Sequence, residues 1–210
     1  MRKGDATRER LLQIAEAAVL SKGFGATSIE EIIAEAGITK SGFFYHFRDK
    51  NELARAMVVR YTEENDRIFA ETFARADDLA DGDPLQSLLI GLKLMAEIFS
   101  DLAGGHPGCL VATMCYQERL FDREVRDLIA ESVARWNDFF ATRLRKAADY
   151  HGATDLDATG LAQSVSCVVD GAIIMGRALS DSSLVARQLL LLRSHIKLVF
   201  QSALVARQAA

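Results

Sequence analysis

The chain has 210 residues, half of them apolar and 26% charged, with a net charge of −4 and only two prolines, Pro84 and Pro107. That composition can bury a sizeable core, which excludes a disordered tail, and proline this scarce suits long helices better than a turn-dense β-sandwich. The three cysteines, Cys109, Cys115 and Cys167, show neither a disulfide framework nor metal spacing. A charged amphipathic stretch follows Met1 in place of an apolar leader, and no uninterrupted run of 18 apolar residues occurs. The expectation is a reduced, cytoplasmic chain with no membrane association, no metal and no cofactor.

Charge is unevenly distributed. Residues 1–50 hold eight Lys/Arg against seven Asp/Glu, and residues 51–210 hold 17 against 22. This permits a nucleic-acid-binding head on an acidic body.

In chain order, a first helix is predicted from about Asp5 to Ser21. Leu11, Ile14, Ala15, Ala18 and Val19 form its apolar stripe at spacings of three and four. Gly23 ends it, and Phe24 follows as an apolar plug. Thr27-Ser28-Ile29-Glu30 has the form of a capping box led by Thr27. A short helix follows to Ala36, where Gly37 suits a left-handed break. Thr39 is expected to cap a third helix, Lys40 to Phe47, and Asp49 a fourth, with Glu52 three residues on. Two short helices around a glycine-containing turn make a helix-turn-helix layout.

The fourth helix is predicted to reach about Ala76. Asp83 caps the next helix and Pro84 takes its first position, with an end near Asp101. A short helix is expected near Cys109–Leu120, then a long one near Asp122–Tyr150, closed by Gly152. Two unusually apolar helices, about Asp155–Leu179 and Ser183–Ala206, complete an all-α chain without strand signals. The predicted architecture is an N-terminal three-helix head over residues 1–50 and a helical body over residues 51–210.

The stretch from Gly23 to Leu53 carries a specific pattern. Gly23-Phe24-Gly25-Ala26-Thr27-Ser28-Ile29 leads into Ile32-Ile33-Ala34, and Phe44-Tyr45-His46-Phe47 is followed by Lys50-Asn51-Glu52-Leu53. Over roughly residues 5–55 this resembles the DNA-binding head of the TetR family of transcriptional regulators. Ile33 stands where that family commonly has alanine, and Arg48 where it often has proline. Pro107-Gly108-Cys109-Leu110 is similar to a Gly-Cys-Leu element of one subgroup, with Thr113 nearest to that subgroup's Asn. The resemblance implies a regulator that binds double-stranded operator DNA, senses a small molecule and has no catalytic role.

The residues themselves support a DNA-facing helix. Thr39, Lys40, Ser41, Tyr45 and His46 are donors, acceptors and flat rings suited to phosphates and base edges. Gly42 allows close backbone approach, and Phe44 is expected to face the groove while Phe43 and Phe47 face the core. Thr27 or Ser28 at a helix N-terminus, and Lys50 in the first turn of the fourth helix, are candidate phosphate contacts. Arg2, Lys3 and Arg8 form a candidate basic arm. The competing readings are structural: Thr27 as a plain cap, Tyr45 and His46 as packed side chains.

In the body, a ligand pocket is expected among the middle helices. Its candidates are Phe69, Phe73, Met95 and Phe99, then Cys109, Met114, Trp136 and Phe140, with Asp170 and Ile174 from the penultimate helix. Cys109 reads more readily as a passive, partly buried thiol than as a sensor. Arg143, Arg145, Lys146 and Asp149 read as a solvated face. The last two helices carry more apolar surface than one chain buries: Leu161, Val165, Val168, Val169, Ile173 and Ile174 on the first, and Leu184, Leu189, Leu191, Leu192, Ile196, Val199 and Phe200 on the second. A homodimer formed through these two helices would cover it. Hydrolase, P-loop, dinucleotide-binding and zinc-protease motifs are absent, so no enzyme is expected. The resulting reading is a homodimeric repressor released from a palindromic operator by a small apolar or amphipathic ligand. A transcriptional activator, and a helical ligand-binding protein without DNA function, stand as alternatives.

Overall fold

Nine α-helices and no strand occur among residues 3–102, 105–153 and 155–208, those described by the computed structural model. They are α1 (Lys3–Lys22), α2 (Ile29–Ala36), α3 (Lys40–His46), α4 (Lys50–Leu79), α5 (Pro84–Ser100), α6 (Leu110–Cys115), α7 (Arg123–His151), α8 (Ala158–Leu179) and α9 (Leu184–Gln208). A 3₁₀ turn, Glu118–Leu120, separates α6 from α7, so the helix expected over 109–120 is broken in two.

Local chemistry sets most helix ends. Gly37 adopts the left-handed conformation (φ 64°), and its N–H closes onto Ala34 O. The Asp83 carboxylate accepts from the N–H groups of Leu85 and Gln86, with Pro84 at the first helical position. Gly152 (φ 71°) ends α7. Helix α4 runs three residues past the expected Ala76 to Leu79, and α8 begins at Ala158, capped by the Asp157 carboxylate on Gly160 N–H.

The chain divides into two compact units. One comprises Met1–Asn65 and Pro107–Val133, the other Asp66–His106 and Ala134–Ala210. The expected head over 1–50 therefore lies in a unit that also takes the first half of α4, all of α6 and the start of α7. Helices α4 and α7 each contribute residues to both units.

In the first unit, Leu11, Leu12, Ala15 and Val19 of α1 share a core with Ile32, Phe43, Phe47, Leu53 and Met57, and with Leu110, Met114, Phe121 and Val125. Arg60 of α4 ties α1 down from the rim, donating to Glu9 (2.8 Å) and Glu16 (2.5 Å).

In the second unit, α9 packs on α5 and on α8. Val165, Val169 and Ile173 of α8, and Leu189, Leu192, Ile196 and Phe200 of α9, are buried within this single chain, which corrects their expected place on a pairing surface. Of the groups expected on that surface, Ile174 and Leu191 are exposed, and Met175, Leu179, Leu190 and Leu198 are exposed beside them on the same two helices. Among the described residues α8 is the one helix long and apolar enough to cross a membrane by length and composition. Part of that apolarity is the face it packs on α9.

Arg143 also departs from expectation. It is no solvated residue: it donates to both oxygens of Asp77 (3.0 and 3.1 Å) and lies over the rings of Phe73 (4.5 Å) and Phe139 (5.1 Å). Those hydrogen bonds hold the Asp77 carboxyl below the ordinary aspartate value of 3.8. An acid depressed in the folded state adds stability above its unfolded value, and that stability is lost as pH falls through the folded value. Asp77→Asn is therefore expected to lower the melting temperature at neutral pH and to flatten its decline below about pH 4. The effect is about 1 kcal/mol or less, because the half-exposed pair is screened by solvent. Calorimetric melting across pH checks it, and parallel wild-type and variant curves would refute the pairing.

Candidate nucleic-acid interface

Helix α3 is seven residues long, too short to hold itself in water, so packing must position it. Phe43 and Phe47, four apart, bury completely in the first unit's core, with ring centroids 5.7 Å apart. The Thr39 hydroxyl caps the helix, accepting from Gly42 N–H at 3.1 Å and lying 3.0 Å from the Ser41 hydroxyl. Burying one edge turns the other to solvent. Phe44 is 42% exposed and Tyr45 82%, and Lys40 and Ser41 are exposed beside them. His46 is half-buried, its ring against those of Tyr45 (5.0 Å) and Phe47 (6.5 Å). A Cβ on Gly42 would meet the Thr39 hydroxyl at 3.3 Å, so glycine here also keeps the cap intact.

Helix α2 crosses next to α3. Its N-cap is Ser28, whose hydroxyl accepts from Glu31 N–H at 3.2 Å. Thr27, the expected leader of the capping box, is instead buried (2% exposed) and donates its hydroxyl to Gly23 O at 2.9 Å, which leaves its side chain unavailable to an outside phosphate. The first turn of α2 carries Glu30 and Glu31, charges that would repel a phosphate. Each is matched by a lysine: Glu31 by Lys22 at 2.5 Å, Glu30 by Lys40 at 3.6 Å. The Lys22 hydrogen bond holds the Glu31 carboxyl below its ordinary range.

Lys50 opens α4 with its ammonium 2.7 Å from Phe24 O and 4.3 Å from the Phe24 ring centre. Burial pushes it below the ordinary lysine range. Asp49 caps this helix on Glu52 N–H (2.8 Å), while the Glu52 carboxylate accepts from Arg48 N–H (2.7 Å). Arg8 lies over the Phe47 ring at 5.1 Å, and Arg2 lies outside the described residues. Thr39, Lys40, Ser41, Phe44 and Tyr45 are thus gathered on one exposed face, with Ser28 exposed and Lys50 half-buried nearby in the fold. Gln117, which follows α6, carried no sequence signal: its carboxamide oxygen accepts from Gly25 N–H, 92 residues away, at 2.9 Å.

The ten candidate pocket residues divide between the two units. Cys109 and Met114 belong to the first unit, where Met114 is part of the core and the Cys109 sulfur caps α6 on Ala112 N–H at 3.4 Å. Burial pushes the neighbouring Tyr61 phenol above its ordinary range. In the second unit Phe69, Phe73, Trp136 and Phe140 do meet: Phe69–Trp136 at 4.5 Å and Phe73–Phe140 at 5.8 Å edge to face, and Trp136–Phe140 at 5.4 Å with tilted rings. Met95 is buried, and Phe99 stacks edge-on with His106 at 5.3 Å, where burial pushes the imidazole below its ordinary range. Asp170 is half-buried, and Ile174 is exposed on the outer side of α8. A surface cleft of about 310 Å³ lies elsewhere on this unit, lined by Lys93, Ala96, Glu97, Ser100, Asp101 and Leu190.

Comparison with known proteins agrees with this geometry. Residues 11–57 match the family model of bacterial regulatory proteins of the tetR family. Residues 84–187 match the C-terminal domain model of LmrA/YxaF-like transcriptional regulators. The chain is 25% identical over 184 residues to the HTH-type transcriptional regulator LmrA of Bacillus subtilis (strain 168), spanning 87% of this chain and 92% of that protein. It is 31% identical over 97 residues to the HTH-type transcriptional regulator TtgR of Pseudomonas putida, spanning 46% of this chain and 42% of that one. The fold is shared with a TetR-family regulator from Agrobacterium tumefaciens (TM-score 0.75, 19% identity, 92% of this chain and 98% of that chain). It is shared also with a TetR regulator from Chloroflexus aurantiacus J-10-FL (TM-score 0.74, 23% identity, 94% and 97%). These relatives are regulators, not enzymes. With an exposed helix-turn-helix in its N-terminal part and a helical C-terminal part that matches the same regulators, the chain belongs to the TetR family of DNA-binding transcriptional regulators.

Proposed function

We propose that the protein is a homodimeric repressor that binds a palindromic operator and leaves it when a small apolar or amphipathic molecule binds the body. The observation that carries this reading is the division of α3: Phe43 and Phe47 bury, while Lys40, Ser41, Phe44 and Tyr45 stand out on the opposite side. That arrangement suits entry into a major groove. One helix this short reads few base pairs, so two heads are needed, set about 34–36 Å apart on successive major grooves.

Thr39, Lys40, Ser41, Gly42, Phe44, Tyr45 and His46 supply base and backbone contacts. Ser28 adds one at the start of α2. Lys50 spends one N–H on Phe24 O and keeps two for a phosphate. The second copy pairs through the exposed apolar groups of α8 and α9, and the protein acts in the cytoplasm. The matched repressor BepR of Brucella suis, 29% identical over 92 residues, supports repression over activation. Ligand sensing is assigned to the aromatic groups around Phe69 and Trp136. Helix α4, continuous from Lys50 to Leu79, connects them to the head along the chain. A ligand acts only through a difference in affinity between the two states of the dimer.

The test is salt-dependent binding to the chain's own upstream DNA, with footprinting. The expected result is a protected palindrome and an affinity that falls about 10³-fold or more between roughly 50 and 200 mM salt. A folded dimer that protects no sequence there, and enriches none from random DNA at low salt, would overturn the reading.

A further inference from the structure

Between α1 and α2 the chain turns through Gly23, Phe24, Gly25, Ala26, Thr27 and Ser28, and this turn decides where α2 starts. Its own hydrogen bonds are few. Thr27 closes it twice, through N–H to Phe24 O (3.2 Å) and hydroxyl to Gly23 O (2.9 Å). Two further bonds come from distant parts of the first unit. Lys50 of α4 donates to Phe24 O at 2.7 Å, and Gly25 N–H donates to the Gln117 carboxamide oxygen at 2.9 Å.

The contact is built on both sides. Gln117 is held by its backbone, its N–H donating to Met114 O and its carbonyl accepting from Leu120 N–H, each at 2.9 Å. Across from it, a Cβ on Gly23 would stand 2.7 Å from Gln117 Nε2, and a Cβ on Gly25 would stand 3.1 Å from Leu120 Cδ1. Gly23 leaves the carboxamide room beside the turn, and Gly25 leaves room for Leu120. Next to it the Phe24 and Phe121 rings pack at 4.6 Å, and Asn51 Oδ1 accepts from Asp122 N–H at 3.2 Å.

We infer that Gln117 is a positioning residue for operator binding. From the segment between α6 and α7, its oxygen fixes the turn that places α2, and through α2 the DNA-facing helix α3. This rests on operator binding by α3 as proposed above. Gln117 itself touches no DNA. It works by removing one degree of freedom from the turn before the head docks, so the cost of ordering it is already met. It also gives the segment after α6 a direct hold on the head, separate from α4.

Three full-length proteins test this: wild type, Gln117→Leu (near in shape, no acceptor) and Gln117→Glu (acceptor kept). Hydrogen exchange of the Gly25 amide reads the clamp itself, and affinity for a duplex enriched from random DNA by the wild type reads positioning. Gln117→Leu is expected to speed Gly25 exchange about tenfold and weaken duplex binding roughly 3- to 10-fold, with melting nearly unchanged. Gln117→Glu is expected to keep Gly25 protected. Measured at a salt concentration that screens its added charge, it should bind within about twofold of wild type. Faster Gly25 exchange in Gln117→Leu with unchanged affinity would overturn the inference, as would Gly25 exchange that does not respond to loss of the acceptor. If the wild type enriches no duplex, the operator reading fails instead, and the exchange data still report whether the clamp exists.

Discussion

Tyr45→Ala is expected to weaken operator binding on the order of 10²-fold while shifting the melting temperature by about 1 °C or less. The two effects separate because of where the ring sits. Tyr45 is 82% exposed and contributes nothing to the core; its ring neighbour is His46, at 5.0 Å. Little apolar burial is lost when it goes. In a dimer the ring is removed twice, so a loss of about one to two kcal/mol per head compounds to this figure. Phe43→Ala is the contrasting control. That ring is fully buried in the core shared by α1, α2 and α4, and its loss is expected to cost about 3–5 kcal/mol and unfold the head along with binding. Fluorescence anisotropy with a footprinted duplex, beside thermal melts, distinguishes the two. Unchanged affinity in Tyr45→Ala would remove α3 from the interface.

Gly91→Ala is the second large effect, and it falls on stability. A Cβ at Gly91 of α5 would lie 2.2 Å from Cε1 of Phe73, well inside contact distance. The Phe73 ring cannot retreat. It is fully buried, flanked by Phe139 at 5.0 Å and Phe140 at 5.8 Å, with the Arg143 guanidinium over it at 4.5 Å. Overpacking of this kind costs about 3 kcal/mol, and a chain of this length then melts roughly 6–12 °C lower. The cause is shown by coupling. Phe73→Leu makes room for the new methyl, so Gly91→Ala should be much less harmful in that background than in wild type. Additive losses in the double variant would mean that the ring and the methyl never meet.

How far these features were legible depends on their range along the chain. Gly37, Thr39, Asp83-Pro84 and Gly152 act on backbone within four residues, so the helix ends they set could be read directly. Thr27 and Ser28 show the limit of that logic. Thr27-x-x-Glu30 and Ser28-x-x-Glu31 both satisfy the capping-box pattern; the helix starts at Ile29 with Ser28 as its cap, while Thr27 is buried in the turn with its hydroxyl on Gly23 O. The α3 face was readable because four-residue spacing puts Phe43 and Phe47 on one side, which leaves Tyr45 on the other.

By itself, then, the sequence determined an all-helical chain, most of its helix boundaries, the helix-turn-helix and its family. All of these rest on interactions between near neighbours or on a short motif of fixed spacing. Tertiary structure alone decided which apolar groups are left exposed. Leu189, Leu192 and Ile196 turned inward while Leu190, Leu191 and Leu198 stayed out, since every residue of an apolar helix satisfies the same pattern until its neighbours are placed. It alone moved Cys109 and Met114 into the DNA-binding unit, laid Arg143 over the Phe73 ring and brought Gln117 to Gly25. These contacts join residues up to 92 positions apart, and a pairing at that distance is set by how helices pack, which no local spacing encodes.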